Sequence, residues 1–332
     1  MKWYESNINF SISLRKLKEN GCTTIYISHK LEEVLEISDM VSVLRDGQHI
    51  HTGSASQLNK DEIIKLMVNR DMRDMFPPHV STVGDVVLRA EDISKPGLVR
   101  DASFELKKGE ITGFSGLMGC GRTELAETIF GVHGKYAGSI YIGGEKRDIH
   151  SPWDATSAGI GFLTEDRKKT GVVALMSVGH NLTLSNLLHT LKLKLFTDRR
   201  KERALCEEYK EMLDIKTPSF TKKISELSGG NQQKVIISKW IQKDLQILIM
   251  DEPTRGIDVG AKYEIYKIMN RLSSEGMAIM FISSEIEEIV AMCDRAYVMR
   301  NHQIVAMLDK EELSEEKILE VCFKGESAYE SQ

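Results

Sequence analysis

Leu245-Gln-Ile-Leu-Ile-Met-Asp-Glu-Pro-Thr254 is the stretch on which the reading of this sequence turns. Its first six residues are nearly all apolar, as in a strand buried on both faces of a parallel sheet. The run ends on two adjacent carboxylates, Asp251 and Glu252. Open α/β sheets bind ligands at the C-terminal ends of their strands, so this pair stands where a ligand would be. A single acid after a strand is ordinarily solvated; an adjacent pair at that edge suits chemistry. Asp251 would hold Mg²⁺ through water, and Glu252 would orient and polarise an attacking water.

A phosphate site precedes it. Ile111-Thr-Gly-Phe is a short apolar strand leading into Gly116-Leu-Met-Gly-Cys-Gly-Arg-Thr123. Leu125, Ala126, Ile129 and Phe130 then share one helical face before Gly131. Strand, glycine-rich turn and helix are the context of a P-loop. Gly116, Gly119 and Gly121 would let backbone amides converge on phosphate oxygens, helped by the helix N-terminus. Thr123 would supply a hydroxyl to Mg²⁺. Arg122 stands where the motif has lysine; it keeps the charge but is planar, longer and not interchangeable. Cys120, within the loop, is either a reactive thiol at a helix N-terminus or simply a small residue that fits.

Leu227-Ser-Gly-Gly-Asn-Gln-Gln233 opens a further helical stretch and offers a second anion site at Ser228, Gly229 and Gly230. This order, Leu-Ser-Gly-Gly-x-Gln-Gln and then an apolar strand ending Asp-Glu-Pro-Thr, resembles the ABC ATPases. Gly229–Val235, Asp251–Lys262 and Thr164–Lys168 narrow the resemblance to the second half of double-length ATPases that serve ribose, galactose and xylose importers.

The resemblance implies an α/β P-loop NTPase fold with a mixed sheet and a helical subdomain over about residues 166–226. It implies ATP and Mg²⁺ as cofactors and pairing with another ABC ATPase half, so that Ser228, Gly229, Gly230 and Gln232 serve the ATP held by that half. Glu165 takes the place of the family's loop glutamine, which faces the permease, and Asp258 that of the aspartate bridging the halves. His29 matches the switch histidine; its counterpart in the later unit is Ser284. With Arg122, Ser284 makes that unit's own site degenerate. The segment Ile93–Asp101 lacks the aromatic on which the family stacks adenine. The expected partners are transmembrane permease subunits and, indirectly, a periplasmic or extracellular sugar-binding protein. The expected place is the cytoplasmic face of the cell membrane, as a peripheral subunit. The alternative is a non-hydrolytic nucleotide-binding half with a regulatory or structural role.

The chain repeats itself. Gly21-Cys-Thr-Thr-Ile-Tyr-Ile-Ser-His-Lys-Leu-Glu-Glu-Val returns as Gly276-Met-Ala-Ile-Met-Phe-Ile-Ser-Ser-Glu-Ile-Glu-Glu-Ile, and the register continues without a gap through Asp39 with Asp294 and Gln48 with Gln303. Each copy reads as buried strand, acidic helix and strand. Residues 1–78 are therefore expected to be the C-terminal remnant of a first ABC domain, 79–84 a linker and 85–332 a second domain, in a polypeptide truncated relative to the working protein. Within the helical subdomain, Leu205, Tyr209, Met212 and Leu213 are expected on one face. The basic cluster from Lys192 to Arg203, which includes Lys194, reads as a solvated face, with contact to anionic lipid as the sharper option.

Composition excludes other classes. Of 332 residues, 41% are apolar and 28% charged, enough for a folded core. A net charge of −5 argues against a nucleic-acid partner. No apolar run approaches the 18 or so residues that span a bilayer. Five scattered cysteines, never in Cys-x-x-Cys pairs, speak against a thiolate zinc site.

Overall fold

The computed structural model of the chain describes residues 16–18, 20–27, 31–45, 48–68, 75–79, 81–185, 191–192 and 196–324. They fall into two compact units: residues up to Phe76 together with Asp258–Gly260, and residues from Pro77 onward apart from that short stretch.

The first unit holds α1 (Leu31–Ile37), an antiparallel pair β1 (Met40–Arg45) and β2 (Gln48–Ser54), and α2 (Lys60–Val68). Leu31, Val41, Val43, Ala55 and Ile63 form its small core. The expected strand ahead of α1 is not formed: Cys22–Ile27 has no regular secondary structure, and Ile25 and Ile27 are 88% and 91% exposed. A strand's backbone groups need at least one neighbouring strand to pair with, and no described strand of this unit pairs with the segment. Leaving two such side chains in water forfeits about 1.5–3 kcal/mol each.

The second unit is built on two sheets. β3 (Val86–Lys95), β4 (Val99–Lys107), β6 (Ala137–Ile142) and β7 (Glu145–Arg147) make an antiparallel sheet in the order β4-β3-β6-β7. The other sheet contains β5 (Ile111–Gly116), β8 (Ile160–Leu163), β9 (Ile247–Asp251), β10 (Ala278–Ile282), β11 (Arg295–Arg300) and β12 (Gln303–Asp309). Its order is β12-β11-β5-β10-β9-β8, parallel throughout except for β12, which pairs antiparallel to β11. The mixed sheet expected from the resemblance is thus present.

Burial follows the period of each sheet. β3 and β4 alternate buried and exposed residues, whereas every residue of β8, β9 and β10 is buried. Ile247, Ile249, Ala278, Met280 and Ile282 join one core with Leu88, Phe104 and Leu125, and the intervening Leu248, Met250, Ile279 and Phe281 are buried outside that cluster. Phe104, Phe114 and Tyr297 pack as an aromatic trio with centroids 5.1–6.0 Å apart.

Helices α3 (Arg122–Ile129), α4 (Pro152–Ser157), α8 (Val259–Ser274), α9 (Ile286–Met292) and α10 (Glu315–Phe323) accompany the sheets. A helical layer contains α5 (Val178–Thr183), α6 (Arg199–Met212) and α7 (Gly229–Ile241). α5 packs against both α6 and α7, so this layer continues past residue 226. On α6 the buried position is Cys206, with Tyr209 half-buried and Leu213 buried just beyond; Met212, expected on this face, is 41% exposed. The 206/209/213 spacing sets a stripe from which Met212 is rotated away. Lys194 lies outside the described residues, and Arg203 pairs on the surface with Glu207.

The repeat is structural as well as sequential. α9, β11, β12 and α10 each begin 255 residues after α1, β1, β2 and α2, with the same lengths. A register shift falls between Val43 and Leu44 in one pair and between Val298 and Met299 in the other.

Beyond the boundary, His79 is fastened to the second unit. Its Nδ1 lies 2.8 Å from Asn270 Oδ1 and its Nε2 3.0 Å from Asp294 Oδ2, and Asn270 Nδ2 donates to Pro78 O at 3.0 Å. Asp294 also accepts from the amide of Ile111, where β5 starts. Burial opposes the Asp294 charge, but bonds from His79, Ser81 and Ile111 outweigh it and hold the carboxyl below its usual range. A depressed carboxyl contributes stability above its unfolded pKa, roughly 4, and loses it as pH falls through the folded value. Asp294→Asn should therefore cost about 1.5–3 kcal/mol in urea melts at pH 7, with the gap narrowing below pH 4. An equal gap at both pH values would refute this account.

Candidate active site

Because β5, β10 and β9 are parallel neighbours, their C-terminal ends come together. β5 delivers the glycine loop, β9 delivers Asp251 and Glu252, and β10 delivers Ser283 and Ser284. The amide of Glu252 donates to the carbonyl of Ile282 at 2.9 Å, which ties the last two ends together. Glu252 itself has φ 48°, an uncommon left-handed backbone for a non-glycine residue.

Two glycines of the loop are sterically required. A Cβ on Gly116, at φ 150°, would lie 2.3 Å from the carbonyl oxygen of Met299. One on Gly121, at φ 101° and capping α3, would meet His302 at 2.9 Å. His302 braces the loop from behind: its amide donates to Cys120 O at 2.9 Å, and its Nδ1 lies 2.8 Å from Leu98 O. Gly119 lies between these two glycines, and Met118 beside it is 96% exposed.

Arg122 is engaged within the chain. It is buried, its Nη1 donates to the carbonyl of Ser283 at 2.6 Å, and its Nη2 lies 4.0 Å from Glu252 Oε1. Glu252 Oε2 accepts from Ser284 Oγ at 3.0 Å. Burial raises the Glu252 carboxyl, opposed by the Arg122 charge and the Ser284 bond. Asp251 is completely buried and is pushed up to about 7, first by burial; the Thr123 hydroxyl and Arg122 oppose the rise and Glu252 adds to it. Neither Asp251 oxygen has a hydrogen-bond partner of standard geometry among the described residues. A carboxylate buried beside a threonine hydroxyl, with unused lone pairs, fits a hard divalent cation that takes its other ligands from phosphate and water.

Other expected site residues lie on neighbouring loops. Glu165, after β8, forms an ion pair with Arg255, just beyond Glu252. Arg167 donates to the carbonyls of Arg255 at 2.8 Å and Gly256 at 3.0 Å, joining the loops that follow β8 and β9. Ser228 is exposed at the N-terminus of α7 and accepts from Asn231 Nδ2 at 2.9 Å. Gly229 is half-buried, and a Cβ on buried Gly230 would lie 2.4 Å from that of Ala261. Gln232 turns its amide inward to the carbonyls of Ile224 and Leu227 at 3.2 and 3.0 Å. Asp258 is exposed ahead of α8. His29 lies outside the described residues. A cleft of about 580 Å³ in the helical layer, lined by His180, Arg199, Cys206 and Phe220 among others, includes none of the expected site residues.

Sequence reading missed Glu288. It is 1% exposed and accepts from Thr254, Tyr266, Ser283 and Lys262 beneath the site. The repeat places Glu33 at the matching position, which marks the residue type but not its burial.

The fold and this strand-end cluster define a P-loop ATP-binding cassette of the ABC type. Residues 99–255 match the model of the ABC transporter family. It is 45% identical over 306 residues to the ribose import ATP-binding protein RbsA of Clostridium tetani, covering 92% of this chain and 61% of the relative. It is 45% identical over 320 residues to the xylose import ATP-binding protein XylG of Thermoanaerobacter pseudethanolicus, covering 94% and 63%. The chain thus spans about three fifths of the length of the curated relatives it matches. A crystal structure of a nucleotide-free ATP-binding cassette from an ABC transporter shares the fold, with TM-score 0.61, 22% identity, and 74% of this chain and 98% of that one covered.

The reactive option for Cys120 fails, because burial raises its thiol despite the nearby Arg122 charge. Cys206 is pushed up to about 12, and Cys293 and Cys322 are also raised by burial. Cys22 is the exposed thiol of the five. Native titration with a disulfide reagent should therefore release about one equivalent quickly and the rest only in denaturant. Rapid labelling of Cys120 would contradict the packing described here.

Proposed function

We propose that this chain is an ATP-binding subunit of an ABC importer that drives uptake of a monosaccharide across the cell membrane. The observation that carries the reading is the meeting of the glycine loop, Thr123 and the unpartnered Asp251 carboxylate at one sheet edge. The names of the relatives, ribose and xylose import proteins, supply the substrate class.

In this reading the amides of residues 116–123 cradle the ATP phosphates and the N-terminus of α3 favours their charge. Thr123 and Asp251 would hold Mg²⁺, which would supply charge neutralisation for the ATP phosphates. Arg122 exchanges Glu252 and the Ser283 carbonyl for phosphate oxygens. Glu252, then freed, orients the water. Glu165 and Arg255 lie on the loops that face a permease. Ser228, Gly229 and Gly230 present backbone amides to the ATP of a second ABC half, with Gln232 bracing that turn from within and Asp258 at the seam. His29 serves the other half's nucleotide. Residues 1–78 act as the end of a first ABC domain. The subunit works at the cytoplasmic face of the membrane with permease subunits, and a separate sugar-binding protein selects the cargo.

A second reading, a nucleotide-binding half without turnover, draws on Arg122 and Ser284. The arginine is committed to the Ser283 carbonyl and Glu252, and a serine stands at the switch position.

Equilibrium binding of a fluorescent ATP analogue tests the shared core of both readings. Thr123→Ala and Asp251→Asn should each weaken Mg²⁺-dependent binding by about tenfold or more, while Glu252→Gln should change it little. Binding that ignores Mg²⁺ and both substitutions would overturn the proposed site.

Arg122→Lys separates the two. Lysine lacks the fork that reaches the Ser283 carbonyl and Glu252 together. If turnover is latent, the variant should hydrolyse ATP at least several-fold faster with the permease present. An unchanged rate at or near zero would favour the non-hydrolytic half.

A further inference from the structure

We infer that Glu288 is a positioning residue that sets the spacing between the two loops of the nucleotide site. The inference rests on the site proposed above. Glu288 touches none of the predicted ligand-binding groups. It lies beneath them at 1% exposure, where an unpaired carboxylate would be costly.

Its bonds explain its place. Thr254 Oγ1 donates to it at 2.8 Å from the loop after β9, two residues beyond Glu252. Ser283 Oγ donates at 2.7 Å from the loop after β10, beside Ser284. Tyr266 Oη at 2.7 Å and Lys262 Nζ at 3.0 Å donate from α8. One carboxylate with about four acceptor sites is filled by two donors from the site loops and two from a helix behind them.

The loop bonds fix what stands above. Ser283 presents its carbonyl to Arg122, Ser284 bonds Glu252, and the amide of Glu285 returns to Ser283 Oγ at 3.0 Å. An apolar side chain of similar size would fill the space without dictating this register. Buried ion pairs contribute little net stability, whereas a fully satisfied polar network specifies geometry. Glu288 therefore acts on Asp251 and Glu252 through the loops.

The test compares Mg²⁺-ATP binding with Mg²⁺-free ADP binding, using the fluorescent analogue and competition on the full chain. Glu288→Gln should weaken Mg²⁺-ATP binding by about tenfold, the scale of losses behind a metal site, and leave Mg²⁺-free ADP within about twofold. Thr254→Val removes one loop tie with little change of shape. It should act in the same direction and serves if the first variant folds poorly. Tyr266→Phe removes a tie to α8 alone and should leave the ratio unchanged. Equal loss for both nucleotides, no loss, or equal effects of Thr254→Val and Tyr266→Phe would overturn the positioning role. If the unmodified chain shows no Mg²⁺-dependent ATP binding, the proposed site itself falls, and that result is distinct from the others.

Discussion

The site depends on the position of β10 between β5 and β9. Parallel pairing aligns the three C-terminal ends, and each strand brings a different chemical part. The apolar character of β9 and β10 follows from the same constraint, since a strand flanked on both sides and covered on both faces can carry few polar side chains. The first unit offers a contrast, since no described strand of it flanks the matching segment. Thr23–Ile27 matches β10 in the repeat, yet forms no strand, and leaves Ile25 and Ile27 in solvent. Its neighbours in the repeat, α1, β1, β2 and α2, still form, because their contacts are local.

Charge is concentrated at this edge under little water. Asp251, Glu252 and Glu288 are buried or nearly so within a few residues of the strand ends, and Arg122 and Lys262 are the cations that face them. The balance differs by layer. Glu288 is matched by four donors and has no acceptor site to spare. Glu252 is held by one ion pair and one hydroxyl. Asp251 has unused oxygens. Satisfaction thus differs among three carboxylates that are all removed from water, and Asp251, with acceptor sites left over, is the one a ligand would complete.

Most of the fold was legible. The strand at Leu245–Met250, the glycine turn at 116–121 and the helix after it follow from local periodicity and turn chemistry, and all formed. The repeat was readable to the residue, because two copies of one unit must keep the same register to build the same hairpin. What failed was context. The strand ahead of α1 needs partners that its own sequence does not encode, and Met212 was assigned to a stripe one step out of phase. For Gln232, sequence gives the position on a helix but not that its amide finds partners at Ile224 and Leu227.

The hub at Glu288 was illegible for a related reason. Glu287-Glu288 and its counterpart Glu32-Glu33 read as the polar side of a short helix, and a charged pair on a helix is usually solvated. Only the fold shows that Glu288 points under the strand ends while Lys262, Tyr266, Thr254 and Ser283 converge from three other segments. The same fold explains why arginine at position 122 is not a neutral exchange. A lysine ammonium can serve phosphate as a point charge, but the arginine fork bonds the Ser283 carbonyl just beyond β10 while lying near Glu252. The site is thus closed by its own residues, and whatever opens it must break a charge-assisted bond to the loop that leaves the central strand of the site.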